Sequence, residues 1–171
     1  MRVLYKSWRG VLALALLLGS GAALPAADYP LLASAAPDFA LRAFAGANVR
    51  LSEHRGEVVL LTFWSSRCST CAAQLAALNR TYLTYRSAGL QVYGISVEET
   101  EREAREFAGA HRTDFPLLFD PAEEVSRRYA VDELPMNVLV DRNGTIRDVQ
   151  RDFAARDQAL YLRELRSLLN E

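Results

Sequence analysis

Cys68 and Cys71 are the only cysteines of the 171-residue chain, and they are spaced C-x-x-C. A disulfide-stapled scaffold would spread more cysteines along the sequence. A structural zinc site takes four ligands, and neither His54 nor His111 has ligand spacing to the pair. Those two histidines are read as structural or exposed. A bridge closing so small a loop constrains the unfolded chain little. Thiol–disulfide exchange is the best use of such a pair: one thiolate attacks a substrate disulfide, and the second thiol releases the mixed disulfide. This chemistry needs no further cofactor, because the cysteine pair is itself the redox centre.

The flanking elements decide which cysteine attacks. Val58–Trp64 (VVLLTFW) is a continuous β-branched and aromatic run, the pattern of a strand buried on both faces. Trp64 is read as core beside the site. The C-x-x-C follows, and then Cys71, Leu75, Leu78 and Tyr82 fall at helical spacing. A strand-to-helix junction puts Cys68 in the first turn of that helix, where the helix dipole and unpaired N–H groups lower a thiol pKa. Cys71 lies one turn deeper. Cys68 is therefore the expected attacker and Cys71 the expected resolver. Arg67 either stabilises the Cys68 thiolate or points away into solvent. Ser69 and Thr70 either bond the thiolate or cap the helix. Pro135 opens a later strand, and in the cis form it would let the Leu134 backbone pair with an extended substrate.

The remaining elements build a scaffold around this junction. Leu90–Val97 reads as a second buried strand, parallel to the first across the helix. Residues 100–111 form a charged helix with Ala104, Phe107, Ala108 and His111 on one face. Leu117–Phe119 is a short strand. Asp120, Pro121 and Glu123 have the pattern of a capping box for another helix, whose apolar face is Val125 and Tyr129. Met136–Val140 and Thr145–Gln150 flank an Asp141–Gly144 turn and read as a hairpin. Leu160, Leu162, Leu165 and Leu168 give a final amphipathic helix its apolar face. The sum is a three-layer α/β/α domain with a central mixed sheet and a C-terminal hairpin plus helix.

Half of the residues are apolar, about a quarter are charged, and the formal net charge is −1. This balance gives no basic surplus for nucleic acid. The first segment differs. Arg2, Lys6 and Arg9 precede an apolar run from Val11 to Leu18 and then small residues through Ala23, the layout of a secretory signal peptide. An uncleaved membrane anchor over residues 10–27 is the other reading. Either one places the domain outside the cytosol, where disulfides persist. Residues 1–27 are thus assigned to signal or anchor, 28–35 to a linker and 36–171 to the folded domain.

Ala36-Pro37-Asp38-Phe39-Ala40-Leu41, Leu51-Ser52-Glu53-His54-Arg55-Gly56 and Phe63-Trp64-Ser65-Ser66-Arg67-Cys68-Ser69-Thr70-Cys71 resemble the TlpA/ResA-like branch of the thioredoxin superfamily, as does Leu134-Pro135 ahead of Val138–Gly144. The resemblance runs from about residue 36 to 169. It implies a thioredoxin fold and a cis peptide at Leu134–Pro135. It also implies an exported reductase of protein disulfides, often of apocytochromes c, fed by a membrane thiol-relay donor; the protein is expected to be a monomer. The family's glutamate after the second strand aligns best with Glu99, with Glu98 as its rival, and a carboxylate there would exchange a proton with Cys71. Three features depart from the pattern. Arg67 replaces the usual tryptophan, Ser69-Thr70 replaces a proline-containing dipeptide, and Gln74 and Ala76 replace a glutamate and a proline of the helix, removing the source of a kink.

Other readings stand beside this one. A peroxiredoxin-type peroxidase shares the fold and the Ala36–Phe39 opening, and Ser65 stands three residues before Cys68 as that chemistry favours. The proline expected further upstream is, however, Leu61. A non-enzymatic module holding Cu(I) on the two thiolates is a second reading, although no methionine or histidine is near the pair in sequence. An oxidant that makes disulfides is a third, since the motif does not set the direction of electron flow.

Overall fold

Seven consecutive apolar or β-branched residues make Val58–Trp64 (β3) suited to the middle of a sheet, and all seven are buried. The computed structural model describes residues 29–151 and 158–171. Among these the order is β1 (Ala40–Ala43), β2 (Asn48–Arg50), β3, α1 (Cys71–Tyr85), β4 (Leu90–Ser96), α2 (Glu101–Ala110), β5 (Leu117–Phe119), α3 (Glu124–Arg128), β6 (Met136–Val140), β7 (Ile146–Arg151) and α4 (Gln158–Leu169). The strands form one mixed sheet in the order β2-β1-β5-β4-β3-β6-β7. β3 pairs in parallel with β4 and antiparallel with β6. This is the α/β thioredoxin architecture that the family resemblance implies.

Alternation along β3 splits its side chains between two cores. Val59, Leu61 and Phe63 join Phe39, Tyr129 and Val138 on one face. Val58, Leu60 and Trp64 join Cys71, Leu75, Leu78, Tyr161 and Leu165 on the other, beneath α1 and α4. Between α1 and β4, Gly89 takes φ 96°, a left-handed conformation that a side chain resists. The β6–β7 hairpin closes through Asp141, whose carboxylate accepts from the Asn143 and Thr145 amides, both at 2.9 Å.

The structure corrects three expectations. Residues 29–35 are not a free linker: Tyr29 is buried and its hydroxyl donates to the Tyr129 carbonyl at 2.7 Å, while Ala35 bridges Thr145. One aromatic side chain outweighs the Ala/Pro composition. α3 starts at Glu124 without a capping box, because Glu123 sits at φ 51°. The Asp120 carboxylate instead reaches the Val125 and Ser126 amides. On α4, Leu160 is exposed and Tyr161 takes the buried place beside Leu165 and Leu168. Strands β1 and β2 are short and half exposed at a sheet edge, so neither carries a periodic signal. The proposed signal or anchor, residues 1–27, lies outside the described residues. No helix among the described residues is long and apolar enough to cross a membrane.

Asp148 faces α4 from β7, opposite Leu139. Burial holds its carboxyl above the ordinary value of 3.8, opposed by the Val149 N–H and reinforced by Glu164. A raised folded-state value means that the ionised form costs stability at neutral pH, and that the cost fades as pH falls through the folded-state range. Asp148→Asn is therefore expected to raise the melting temperature at pH 7, with the gain lost below pH 3.8. A gain of equal size at both pH values would contradict the assignment.

Candidate redox site

β3 ends at Trp64, and the chain then turns twice before α1. The Cys68 N–H donates to the Ser65 carbonyl at 3.3 Å and the Cys71 N–H to the Cys68 carbonyl at 3.2 Å. Cys71 is the first residue of α1, and Thr70 is its N-cap without a side-chain cap bond. Cys68 thus lies three residues ahead of the helix, not in its first turn. The turn geometry of Ser69 and Thr70 delays the helix. The two cysteines are joined as a disulfide with Cα atoms 5.4 Å apart, so the Cys68 sulfur is still tied to the helix's first residue. Cys71 is fully buried, whereas Cys68 is part-exposed.

Cys68 opens on a groove of about 450 Å³. Arg67, Val97 and Leu134 line it, together with the carboxylate residues Glu123, Asp132 and Glu133. Sequence reading missed Val97 and the three carboxylates, which come from segments remote from the motif. The Leu134–Pro135 peptide is cis, Pro135 is buried and Leu134 is half-buried. Thr70 Oγ1 lies 3.7 Å from Cys68 Sγ, while Ser69 is exposed.

Residues 32–149 match the AhpC/TSA family. The chain belongs to that family. It is 33% identical over 116 residues to the thiol-disulfide oxidoreductase ResA of Geobacillus kaustophilus, covering 68% of this chain and 67% of that protein. A crystal structure of a putative thiol:disulfide interchange protein DsbE from Chlorobium tepidum superposes with a TM-score of 0.75 at 30% identity, covering 79% of this chain and 95% of the other. The exposed lipoprotein thioredoxin Etrx1 of Streptococcus pneumoniae gives a TM-score of 0.66 at 25% identity, over 75% and 98% of the two chains. This member is accordingly a thiol–disulfide oxidoreductase of the ResA/DsbE-like kind.

The two glutamates after β4 exchange their expected places. Glu99 is turned to solvent and pairs with the equally exposed Arg67 at 3.7 Å. Glu98 is 2% exposed, and its carboxylate accepts from the Ser66 N–H in the loop that carries Cys68. A signal for this was present. The β3–β4 ladder continues past β4 through Val97 N–H to the Trp64 carbonyl, 3.0 Å, and period-two alternation then puts Glu98 on the buried side with Ser96. The histidines stand apart from the cysteines. His54, ahead of β3, bonds Glu57 at 2.7 Å and the Tyr93 hydroxyl at 2.8 Å. His111 packs on Phe107 with centroids 4.4 Å apart. Trp64 is fully buried and stacks on the other side of the site, against Phe107 at 5.0 Å. Gly94 leaves the room its indole needs, since a Cβ there would stand 3.1 Å from Trp64 Nε1. Gln74 is buried, Ala76 is exposed, and α1 runs unbroken over both.

Removing Glu98's carboxylate leaves the part-buried Ser66 N–H contact unmade. Glu98→Ala is expected to cost about 1–3 kcal/mol in denaturant unfolding, and Glu99→Ala less than about 1 kcal/mol, as for an exposed ion pair. Equal effects would contradict the two placements.

Proposed function

We propose that the protein is an extracytoplasmic reductant of protein disulfides in which Cys68 attacks and Cys71 resolves. The observation that carries this reading is the asymmetry within one bonded pair. Cys71 is sealed in the core and Cys68 opens on the groove. An incoming disulfide reaches only Cys68. The Cys68 thiolate attacks it, forming a mixed disulfide and expelling one substrate thiolate. Cys71 gives up its proton and attacks Cys68 Sγ, which expels the second substrate thiolate. The substrate gains two electrons and the pair returns to the disulfide. A peroxidase reading uses Cys68 as a peroxide attacker and gives no such role to a buried partner three residues on.

Leu134 lines the groove, and its backbone is suited to align an extended substrate segment beside Cys68. Thr70 Oγ1 is placed to stabilise the Cys68 thiolate, whereas Arg67 is engaged by Glu99 and Ser69 faces solvent. Glu98 is a positioning residue that holds Ser66 and so the turn that presents Cys68. Export is supported by the charged, apolar and small-residue succession of the first 27 residues and by the exposed lipoprotein among the relatives. Within this reading, apocytochromes c are candidate substrates, a membrane thiol-relay protein is the electron donor and the enzyme works as a monomer.

Cys71→Ser is expected to accumulate a mixed disulfide with substrate protein on Cys68, visible on non-reducing gels and released by dithiothreitol. Cys68→Ser is expected to trap none. Trapping by Cys68→Ser alone would reverse the assignment.

A further inference from the structure

Residues 129–135 join α3 to β6, and four of them, Val131, Asp132, Glu133 and Leu134, form one wall of the groove beside Cys68. This connector is neither helix nor strand. Ala130 within it sits at φ 46°, a left-handed conformation that a Cβ disfavours and that persists only where surrounding contacts hold it. Two such contacts reach the connector from elsewhere in the chain. The Tyr29 hydroxyl donates to the Tyr129 carbonyl at 2.7 Å, and Arg151 Nε donates to Asp132 Oδ1 at 2.9 Å. The two holds are themselves joined. The Arg151 guanidinium lies 5.4 Å from the centre of the Tyr29 ring, a cation–π distance. Arg151 is the last residue of β7 and pairs with Met136, the residue after Pro135, so the sheet fixes it level with the end of the connector. Tyr29 is buried. Burial pushes its hydroxyl up to about 12, so it keeps its proton and donates at neutral pH. Its own segment is tied to the other end of β7, where the Ala33 N–H donates to the Ile146 carbonyl and the Ile146 N–H to the Ser34 carbonyl, both at 2.9 Å. The groove wall is thus fastened to the sheet by one tyrosine and one arginine, neither of which lines the groove.

We propose that Tyr29 and Arg151 set the preference of Cys68 for extended protein segments by fixing the Val131–Leu134 wall on which such a segment aligns. The inference rests on the reading that protein disulfides are reduced at Cys68 with the segment beside Leu134. A small disulfide reaches the part-exposed Cys68 sulfur without using the wall. A peptide disulfide gains from a wall already in place, because ordering a loose connector on binding costs affinity. The chemistry is the same for both: the Cys68 thiolate attacks one sulfur, a new disulfide forms there, and the other sulfur leaves as a thiolate with the electron pair. Tyr29 and Arg151 are positioning residues. They act through the connector and touch no reacting atom.

Two probes with the same thionitrobenzoate leaving group separate the wall from the chemistry. One is a blocked, uncharged pentapeptide whose central cysteine carries thionitrobenzoate. The other is blocked cysteine alone, carrying the same group. Each is mixed with the reduced full-length protein in a stopped-flow instrument, and the release of thionitrobenzoate gives a second-order rate constant. The wild-type protein is expected to consume the peptide probe faster. Tyr29→Phe removes only the hydroxyl, and Arg151→Met removes the charge while keeping a long side chain. Each is expected to lower the ratio of peptide to small-probe rate about fivefold, as for one neutral hydrogen bond or one partly exposed ion pair, with the small-probe rate unchanged. Arg151→Lys, which can still pair with Asp132, should keep most of the wild-type ratio. An unchanged ratio in both Tyr29→Phe and Arg151→Met would overturn the proposal. So would an equal fall of both rates, or an Arg151→Lys variant as impaired as Arg151→Met. Failure of the underlying reading looks different: the wild-type protein itself would then show no preference for the peptide probe, and the proposal would fall with it.

Discussion

The amide of Val97 donates to the carbonyl of Trp64 at 3.0 Å, and this last rung of the β3–β4 ladder sets the geometry of everything above it. It holds the end of β3 level with the chain leaving β4. The turn that carries Cys68 then rises from a fixed base, and Glu98, one residue past the rung, comes under that turn to accept from Ser66. Two strands that are buried along their length supply the rigidity. β3 is covered on both faces and flanked on both edges, so its end has little freedom to move. A reactive disulfide placed on such an edge is presented by backbone hydrogen bonds and by the Glu98 carboxylate that accepts from Ser66.

Magnitudes separate the groups that hold the site from those that only decorate it. Arg67 and Glu99 are both more than two-thirds exposed, and exposed ion pairs contribute about 0–1 kcal/mol. A buried carboxylate bonded to a backbone N–H contributes about 1.5–3 kcal/mol. The placement of Cys68 therefore depends on Glu98 far more than on Arg67, although Arg67 is its neighbour in sequence. Burial has the same sorting effect on the sulfurs. Cys71 lies in a core with Leu75, Trp64 and Leu78, where a thiolate is costly, while Cys68 meets solvent and a hydroxyl. The proposed division of labour between attacker and resolver rests on that difference in surroundings.

Much of this was legible in the sequence. The β3 run, the C-x-x-C, the β4 run and the Asp141–Gly144 hairpin each carry a strong local signal, because the elements are long, buried or turn-specific. Export, by contrast, was read from residues that the structure does not describe. Local pattern failed where a tertiary contact decided the outcome. Tyr29 escaped notice because its partner is 100 residues away. Glu99 was favoured over Glu98 because alignment with a motif carries no information about which face is buried, whereas the extended ladder does. Cys68 was placed inside α1 because helical spacing of Cys71, Leu75 and Leu78 does not mark where the helix begins. The groove walls from residues 123 to 133 had no signal at all, since only the fold brings them to Cys68.

The measurement that bears most directly on the account is the reduction potential of the Cys68–Cys71 pair, obtained by equilibrating the protein against glutathione buffers. A reductant of protein disulfides is expected near or below about −220 mV. A value near about −120 mV is that of a strong oxidant and would contradict the direction of electron flow on which the proposed function stands.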